Sequence, residues 1–342
     1  MTHTSFRTDG QGGLVRQMQH DSPLKPTQVR ISVLAVGLNF RDNYFVKGNR
    51  FRPAVEGRIP CTDSVGIVTA IGSGVTRFKP GDRVNTTVLP NWIDGPLSQA
   101  SLHGSIGSRE RDGVLATQLQ MDEQELVLAP VFLSDLEAAT LSVAALTAWH
   151  AVAELQALQA GDTVVIQTTG GVAVFAIQFA HAMGAKVIVV SRSDEKLRAA
   201  RQLGADNIIH TGQTPAWEQQ VLAMTDGKGA QLVLDMGLSD SLRQSCTAAA
   251  FEGTVAIIGV VQEESNPLDI YTVMNKNLRV RGVETGSRAM FERMNQFLAA
   301  QRIRPVIDSV FAIADINKAL DRLAASPFGK VVVNMEGLEN TA

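Results

Sequence analysis

The sequence predicts an α/β protein in which a doubly wound parallel sheet is joined to a second, β-rich region. Three observations carry that expectation. A β-branched run at 163–167 feeds a turn at Gly170 and Gly171, which opens an apolar helix through Phe175, Ile177 and Phe179. Downstream, short β-branched runs alternate with longer amphipathic stretches, the pattern of strands covered by helices on both faces. Upstream, residues 29–128 carry frequent Gly and Pro, short strand-like runs and no long helical period.

In chain order, the upstream region is expected to place strands at 29–34, 66–71, 78–84 and 126–128. The strand–turn–helix at 163–179 is followed by a strand at 186–190 and a helix at 195–203, then strands at 207–209, 231–235, 254–258 and 278–281, with helices at 217–224 and 238–251. Such a series is a Rossmann arrangement. Helices at 290–300 and 316–325 then lead to a strand at 329–333 that has no place in the parallel series. That strand is expected to return to the first region, which divides the chain into 1–144 with 285–342 and a cofactor domain at 145–284, with a cleft between the lobes.

The turn has a chemical logic. Gly170 and Gly171 let the backbone approach a pyrophosphate, and the amides of Thr169, Gly170, Gly171 and Val172 at the helix start face its charge. Thr168 stands at the first glycine position and Ala173 at the third, so the motif is degenerate and, taken alone, also fits a plain structural turn. About twenty residues on, where an acidic residue would bind the ribose of NAD, the chain carries Ser191 and Arg192, with Lys196 following. These neutral and cationic groups suit a 2′-phosphate, so NADP(H) is expected to be preferred over NAD(H).

Composition excludes several classes. A net charge of -3 over 342 residues, with basic residues scattered along the chain, leaves no footprint for nucleic acid. Two cysteines, Cys61 and Cys246, make no disulfide framework and suit a reducing compartment. No apolar stretch approaches the ~20 residues of a membrane span, and the polar N-terminus does not read as a signal peptide. A cytoplasmic protein acting on a small molecule, with no nucleic-acid or membrane partner, is expected.

Several ordered segments together resemble the medium-chain dehydrogenase/reductase superfamily over roughly 25–335. They are 35–42 (Ala-Val-Gly-Leu-Asn-Phe-Arg-Asp), Asp63 with Gly66 and Val68, 78–84 (Phe-Lys-Pro-Gly-Asp-Arg-Val), 138–141 with 146–148, the Gly170-Gly171-Val172 turn, and the closing 328–331 (Phe-Gly-Lys-Val). The resemblance implies a GroES-like β-rich catalytic domain beside the Rossmann domain. Within the superfamily, 89–96 and 286–294 look like a zinc-free branch often called NAD(P)-dependent alcohol dehydrogenase, a label that names no substrate. The resemblance also implies that Thr147, Val260 and the backbone of 283–285, Thr285 included, position the nicotinamide, with Gly259 and Lys330 among the cofactor-binding positions. Many relatives are homodimers that pair their last Rossmann strands, here near 278–283.

The departures from the zinc-dependent pattern bear on mechanism. Positions that hold zinc in relatives carry Asn39, Thr62 and Val143, which supply no good donor set, and no closely spaced cysteine quartet lies between Leu89 and Gly113. No metal is expected. The segment with Asn39, Asp42 and Tyr44 resembles the Asn-x-x-Asp-x-Tyr stretch that flanks the nicotinamide in zinc-free quinone oxidoreductases. Tyr44 reads either as a proton or hydrogen-bond donor to a developing oxyanion or as a packing residue, and Asp42 either as part of the site or as a cap. Of the six histidines, His103, His150, His181 and His210 stand apart at no metal-ligand spacing, and Cys61 has no neighbouring base. Trp92 and Asp94 fall in the loop that replaces the zinc lobe and read equally as entrance or packing residues.

The sequence therefore points to a zinc-independent NADP(H)-dependent oxidoreductase that delivers hydride to a quinone, enone or other activated carbonyl. A zinc-free alcohol or aldehyde dehydrogenase is the alternative. A low-turnover NADPH-binding sensor or scaffold is a third reading.

Overall fold

A computed structural model describes residues 2–49, 53–238, 240–259 and 267–337. Strands run in chain order as β1 (Thr2–Thr8), β2 (Leu14–His20), β3 (Gln28–Gly37), β4 (Asp63–Ile71), β5 (Arg83–Thr86), β6 (Gln118–Asp122), β7 (Leu126–Leu128), β8 (Thr163–Gln167), β9 (Lys186–Ser191), β10 (Asn207–His210), β11 (Ala230–Asp235), β12 (Ala249–Ile257), β13 (Arg279–Gly282), β14 (Ile307–Ala312) and β15 (Lys330–Asn334). The chain divides into two compact units, Met1–Leu146 with Thr285–Ala342, and Thr147–Glu284.

The first unit is built on a seven-stranded sheet ordered β14-β15-β3-β4-β5-β7, with β6 paired to β3. Strand β15 runs antiparallel to β3, setting Val332 opposite Gly37 and Val333 opposite Val36. The core gathers Val29, Ile31, Val33, Val36, Val331 and Val333 with Leu320 and Leu323 of the helix Ile316–Ala324. The expected strand at 78–84 is shorter than its β-like composition suggests. Gly81 adopts φ 93 and the Asp82 carboxylate accepts the Lys79 N–H at 2.9 Å, so a turn consumes its first half.

The hairpin β1–β2 had no signal in the sequence. Its strands are mostly polar and show no apolar alternation, but the Asp9 carboxylate accepts N–H groups of Gln11 (2.7 Å) and Gly13 (2.8 Å), closing the turn. Phe6 enters the core and its N–H donates to the Leu115 carbonyl at 3.0 Å. Tertiary contacts therefore supply what local propensity lacks.

The second unit is a six-stranded parallel sheet in the order β10-β9-β8-β11-β12-β13. This doubly wound order reverses between β8 and β11, the place where such sheets bind ligands. All five residues of β8 are buried, and the helix Gly171–Ala182 that follows buries Val174, Phe175, Ile177 and Phe179. Beside the reversal, Asp235 accepts from the Gly237 N–H (2.8 Å) and from the hydroxyls of Ser241 (2.8 Å) and Ser245 (2.6 Å). That carboxylate anchors the start of the next helix to the end of β11.

The helix expected at 238–251 spans only Ser241–Ala248. Lys276 Nζ donates to the carbonyls of Thr247 (2.6 Å) and Ala249 (2.8 Å), which ends the helix and lets Ala249 begin β12. No helix of the described residues is long and apolar enough to cross a membrane.

Candidate functional site

In the first unit, the helix Phe40–Lys47 is started by a capping box. Asn39 is the N-cap, and its backbone N–H donates to Asp42 Oδ2 at 2.7 Å. Asp42 is buried, and burial, opposed by that hydrogen bond, raises its pKa to about 6. The capping reading of Asp42 is thus fulfilled, in an unusually dry place for a carboxylate.

The side chain of Asn39 belongs to a closed ring of buried polar groups. Lys330 Nζ donates to Asn39 Oδ1 at 2.7 Å and to Asp63 Oδ2 at 3.2 Å. Asn39 Nδ2 donates to Thr62 Oγ1 at 3.4 Å, and Thr62 Oγ1 donates to Asp63 Oδ1 at 3.2 Å. Lys330 and Asp63 are 2% and 0% exposed, so the pair is withdrawn from water and must be compensated internally. The ring is held from outside as well. Asn85 Nδ2 ties the carbonyls of Ser64 and Ala138 at 2.9 Å each, and Thr86 Oγ1 donates to the Thr62 carbonyl at 2.9 Å.

Sequence reasoning named Asn39 and Lys330 but did not join them, and it passed over Asp63 as a charged group. The available signal was a charged residue at the head of each of two otherwise apolar strands, since such residues are buried only when paired.

Tyr44 follows on the helix that Asn39 caps. Its ring packs edge-on against Phe40, with centroids 5.0 Å apart and planes at 85°. The structure therefore brings Asn39 to Lys330, Thr62 and Asp63, and sets Tyr44 with Phe40.

Cys61 precedes the ring at φ 70, and Gly113 approaches so closely that a Cβ there would lie 2.1 Å from the Cys61 carbonyl oxygen. Burial, reinforced by the nearby carboxylates of Asp42 and Asp63, pushes its thiol pKa well up. Cys61 is a protonated packing group.

In the second unit, the turn after β8 places Thr168 at φ 66, a left-handed conformation unfavourable for a β-branched residue. Its N–H donates to the Val190 carbonyl at 2.8 Å, which pins the turn between the two strands. Gly170 is the helix N-cap, and a Cβ on it would meet nothing within 4 Å. Gly170 thus keeps clear the space before the helix N-terminus, as a backbone cradle for a pyrophosphate requires.

Ser191 ends β9 with Arg192 next, and Ser193 caps the following helix by accepting the Lys196 N–H at 3.4 Å. His210 stands opposite Ser191 in the sheet. Its Nδ1 accepts N–H groups of Gly212 (3.1 Å) and Gln213 (3.3 Å), and its Nε2 lies 4.0 Å from Asp194. Thr147 and Thr285 are buried, and Gly259 follows β12. Val260 lies outside the described residues.

Comparison with known proteins bears on the family and the fold. The family described as alcohol dehydrogenase GroES-like domain matches residues 25–131, and that described as zinc-binding dehydrogenase matches 171–300. A zinc-type alcohol dehydrogenase-like protein of Schizosaccharomyces pombe is 35% identical over 320 residues, 92% of each chain. The chain belongs to the medium-chain dehydrogenase/reductase superfamily. A quinone oxidoreductase of Pseudomonas aeruginosa is 31% identical over 88% of each chain. The crystal structure of a nominal alcohol dehydrogenase of Sinorhizobium meliloti superposes with a TM-score of 0.91 at 35% identity, covering 97% of this chain and 98% of that one. The protein is accordingly an oxidoreductase of the superfamily, with a GroES-like unit and a nicotinamide-binding Rossmann unit.

The buried Asp42 carboxyl yields a stability prediction. Its folded pKa is raised above the unfolded value, so the neutral form stabilises the fold at low pH and that contribution is lost as pH rises through about 6. Asp42→Asn keeps an acceptor for the Asn39 N–H and removes the charge. Urea unfolding should show the variant stabilised relative to the parent by roughly 1–3 kcal/mol at pH 7.5, a difference that vanishes near pH 4.

Proposed function

We propose that the protein is a zinc-independent, NADP(H)-dependent oxidoreductase that delivers hydride to a quinone, an enone or another activated carbonyl compound. The observation that carries this reading is the buried ring of Lys330, Asn39, Thr62 and Asp63. Two of its members, Asn39 and Thr62, stand at positions that hold zinc in relatives. The third such position, Val143, has no donor atom. The residues present do not fit a zinc ion: the Asn39 amide oxygen is already occupied by an ammonium, and a divalent cation beside that ammonium would be repelled. Among the described residues no group of three or more His, Cys, Asp or Glu side chains could hold a metal.

Bound NADPH supplies a hydride. The acceptor carbon gains that pair of electrons, the carbonyl or quinone oxygen takes up negative charge, and a proton completes the reduction. Asn39 offers an amide N–H to the developing oxyanion, and Tyr44 offers a phenol as proton donor. Quinones and enones suit such a site because their extended π-systems spread the charge, so less polarisation is required than for a simple aldehyde. The similarity to a quinone oxidoreductase favours the same class. In the Rossmann unit, Thr169, Gly170, Gly171 and Val172 would hold the pyrophosphate, with Ser191, Arg192 and Lys196 at the 2′-phosphate.

Three measurements test this reading. Purified protein should contain well under one equivalent of zinc and keep its activity after chelation; a full equivalent needed for turnover would overturn the metal-free assignment. NADPH should bind about tenfold or more tightly than NADH, because charge-assisted contacts to a phosphate are worth roughly 1.5–3 kcal/mol, and Arg192→Ala should narrow the gap in fluorescence titrations. In single-turnover NADPH oxidation with the best acceptor from a panel of quinones, enones and aldehydes, Tyr44→Phe should lower kcat and kcat/KM together without weakening NADPH binding. A Tyr44→Phe rate equal to the parent would remove the phenol from the mechanism, and silence across the panel would favour a sensor or scaffold.

A further inference from the structure

We propose that Lys330 is a positioning residue for catalysis: its ammonium fixes the Asn39 amide with one Nδ2–H held ready for the substrate oxygen. The inference rests on the carbonyl-reducing role given to Asn39 above. An ammonium can only donate, so its 2.7 Å contact with Asn39 forces the amide oxygen toward Lys330 and the amide nitrogen away from it. Of the two protons on Nδ2, one is directed at Thr62 Oγ1 across 3.4 Å. The other has no partner among the described residues. Asn39 is 7% exposed, so this N–H sits at the edge of a water-poor site.

The ring also explains why the arrangement is stable in one sense only. The Thr62 hydroxyl donates to Asp63, which leaves its oxygen lone pairs to accept from Asn39, and Asp63 accepts in turn from Lys330. Flipping the amide would face Nδ2 against an ammonium and the amide oxygen against the lone pairs of Thr62, unless the threonine hydroxyl also turned away from Asp63. A cation on the amide oxygen further polarises the N–H bonds, strengthening the donor toward a developing oxyanion. Polarising charge thus reaches the substrate oxygen through an amide, with the Asp63 carboxylate balancing the charge of the lysine.

Removing Lys330 alone would strand a buried carboxylate, so the decisive variant is the pair Lys330→Met with Asp63→Asn, which deletes both charges. Single-turnover oxidation of NADPH by 1,4-naphthoquinone, at saturating NADPH, should fall by about a hundredfold to a thousandfold in this variant, as when one preorganised donor is lost. Adding Asn39→Ala should then cost no further rate, because the lysine acts through the amide. A Lys330→Arg variant, which keeps a donor cation, should recover part of the rate. Multiplicative losses in the triple variant, or a parent-like rate in the double variant, would overturn the proposal.

A second readout does not depend on turnover. In a protein labelled with 15N-asparagine, the Asn39 Nδ2 proton pair, identified by its absence from Asn39→Ala, should shift markedly in the Lys330→Met/Asp63→Asn variant. Unchanged Nδ2 signals would overturn the proposed orientation even if no quinone, enone or aldehyde is reduced. Silence across that panel with shifted Nδ2 signals would count against the hydride-transfer reading and uphold the lysine's hold on Asn39.

Discussion

The contact between the returning strand β15 and β3 is the constraint on which the rest of the first unit depends. It inserts Val331, Val332 and Val333, none measurably exposed, into a sheet whose strands other than the neighbouring β14 come from the first half of the chain. The same insertion carries Lys330 to a place where an isolated ammonium would be costly to bury. Asp63 and Asn39 offset that cost with a carboxylate and an amide oxygen within hydrogen-bond distance. Breaking such a pair from one side is worth about 3–5 kcal/mol in destabilisation, so Lys330, Asp63 and Asn39 are constrained together.

That constraint gathers opposite charges in a dry place. A buried ammonium lies beside the Asn39 amide, and its charge is balanced locally by the Asp63 carboxylate. The surrounding dryness has a second effect, seen at Asp42, where burial outweighs a backbone hydrogen bond and lifts the carboxyl pKa to about 6. Polar groups in this region are strongly coupled because little water screens them.

The Rossmann unit solves a different problem, the approach of a backbone to a phosphate. Its turn keeps the left-handed conformation at Thr168 even though the residue is poorly suited to it. Strain of order 1–3 kcal/mol persists only where surrounding structure over-determines it, and here the bond from the Thr168 N–H to Val190 does so. Gly170 is a different case. Its φ is -75, which any residue can adopt, and what it contributes is empty space.

The sequence by itself determined the class of fold and the places of the parallel strands along the chain, because a sheet covered on both faces needs near-continuous apolar runs and these are visible in the chain from 163 to 257. It also exposed the glycine turn and the cationic residue that follows β9, both of which reside in residue identity. It did not reveal the β1–β2 hairpin, whose turn is closed by one aspartate and whose strands are held by non-local contacts. Nor did it show where the helix after β11 stops, which Lys276 decides from 28 residues beyond Ala248. Only the tertiary structure joined Lys330 to Asn39 across 291 positions and to Asp63 across 267. Local pattern records which side chains are apolar and which are charged, whereas the partner of a buried charge is chosen by the register of sheet pairing, which leaves no local trace even where the return of a strand is expected.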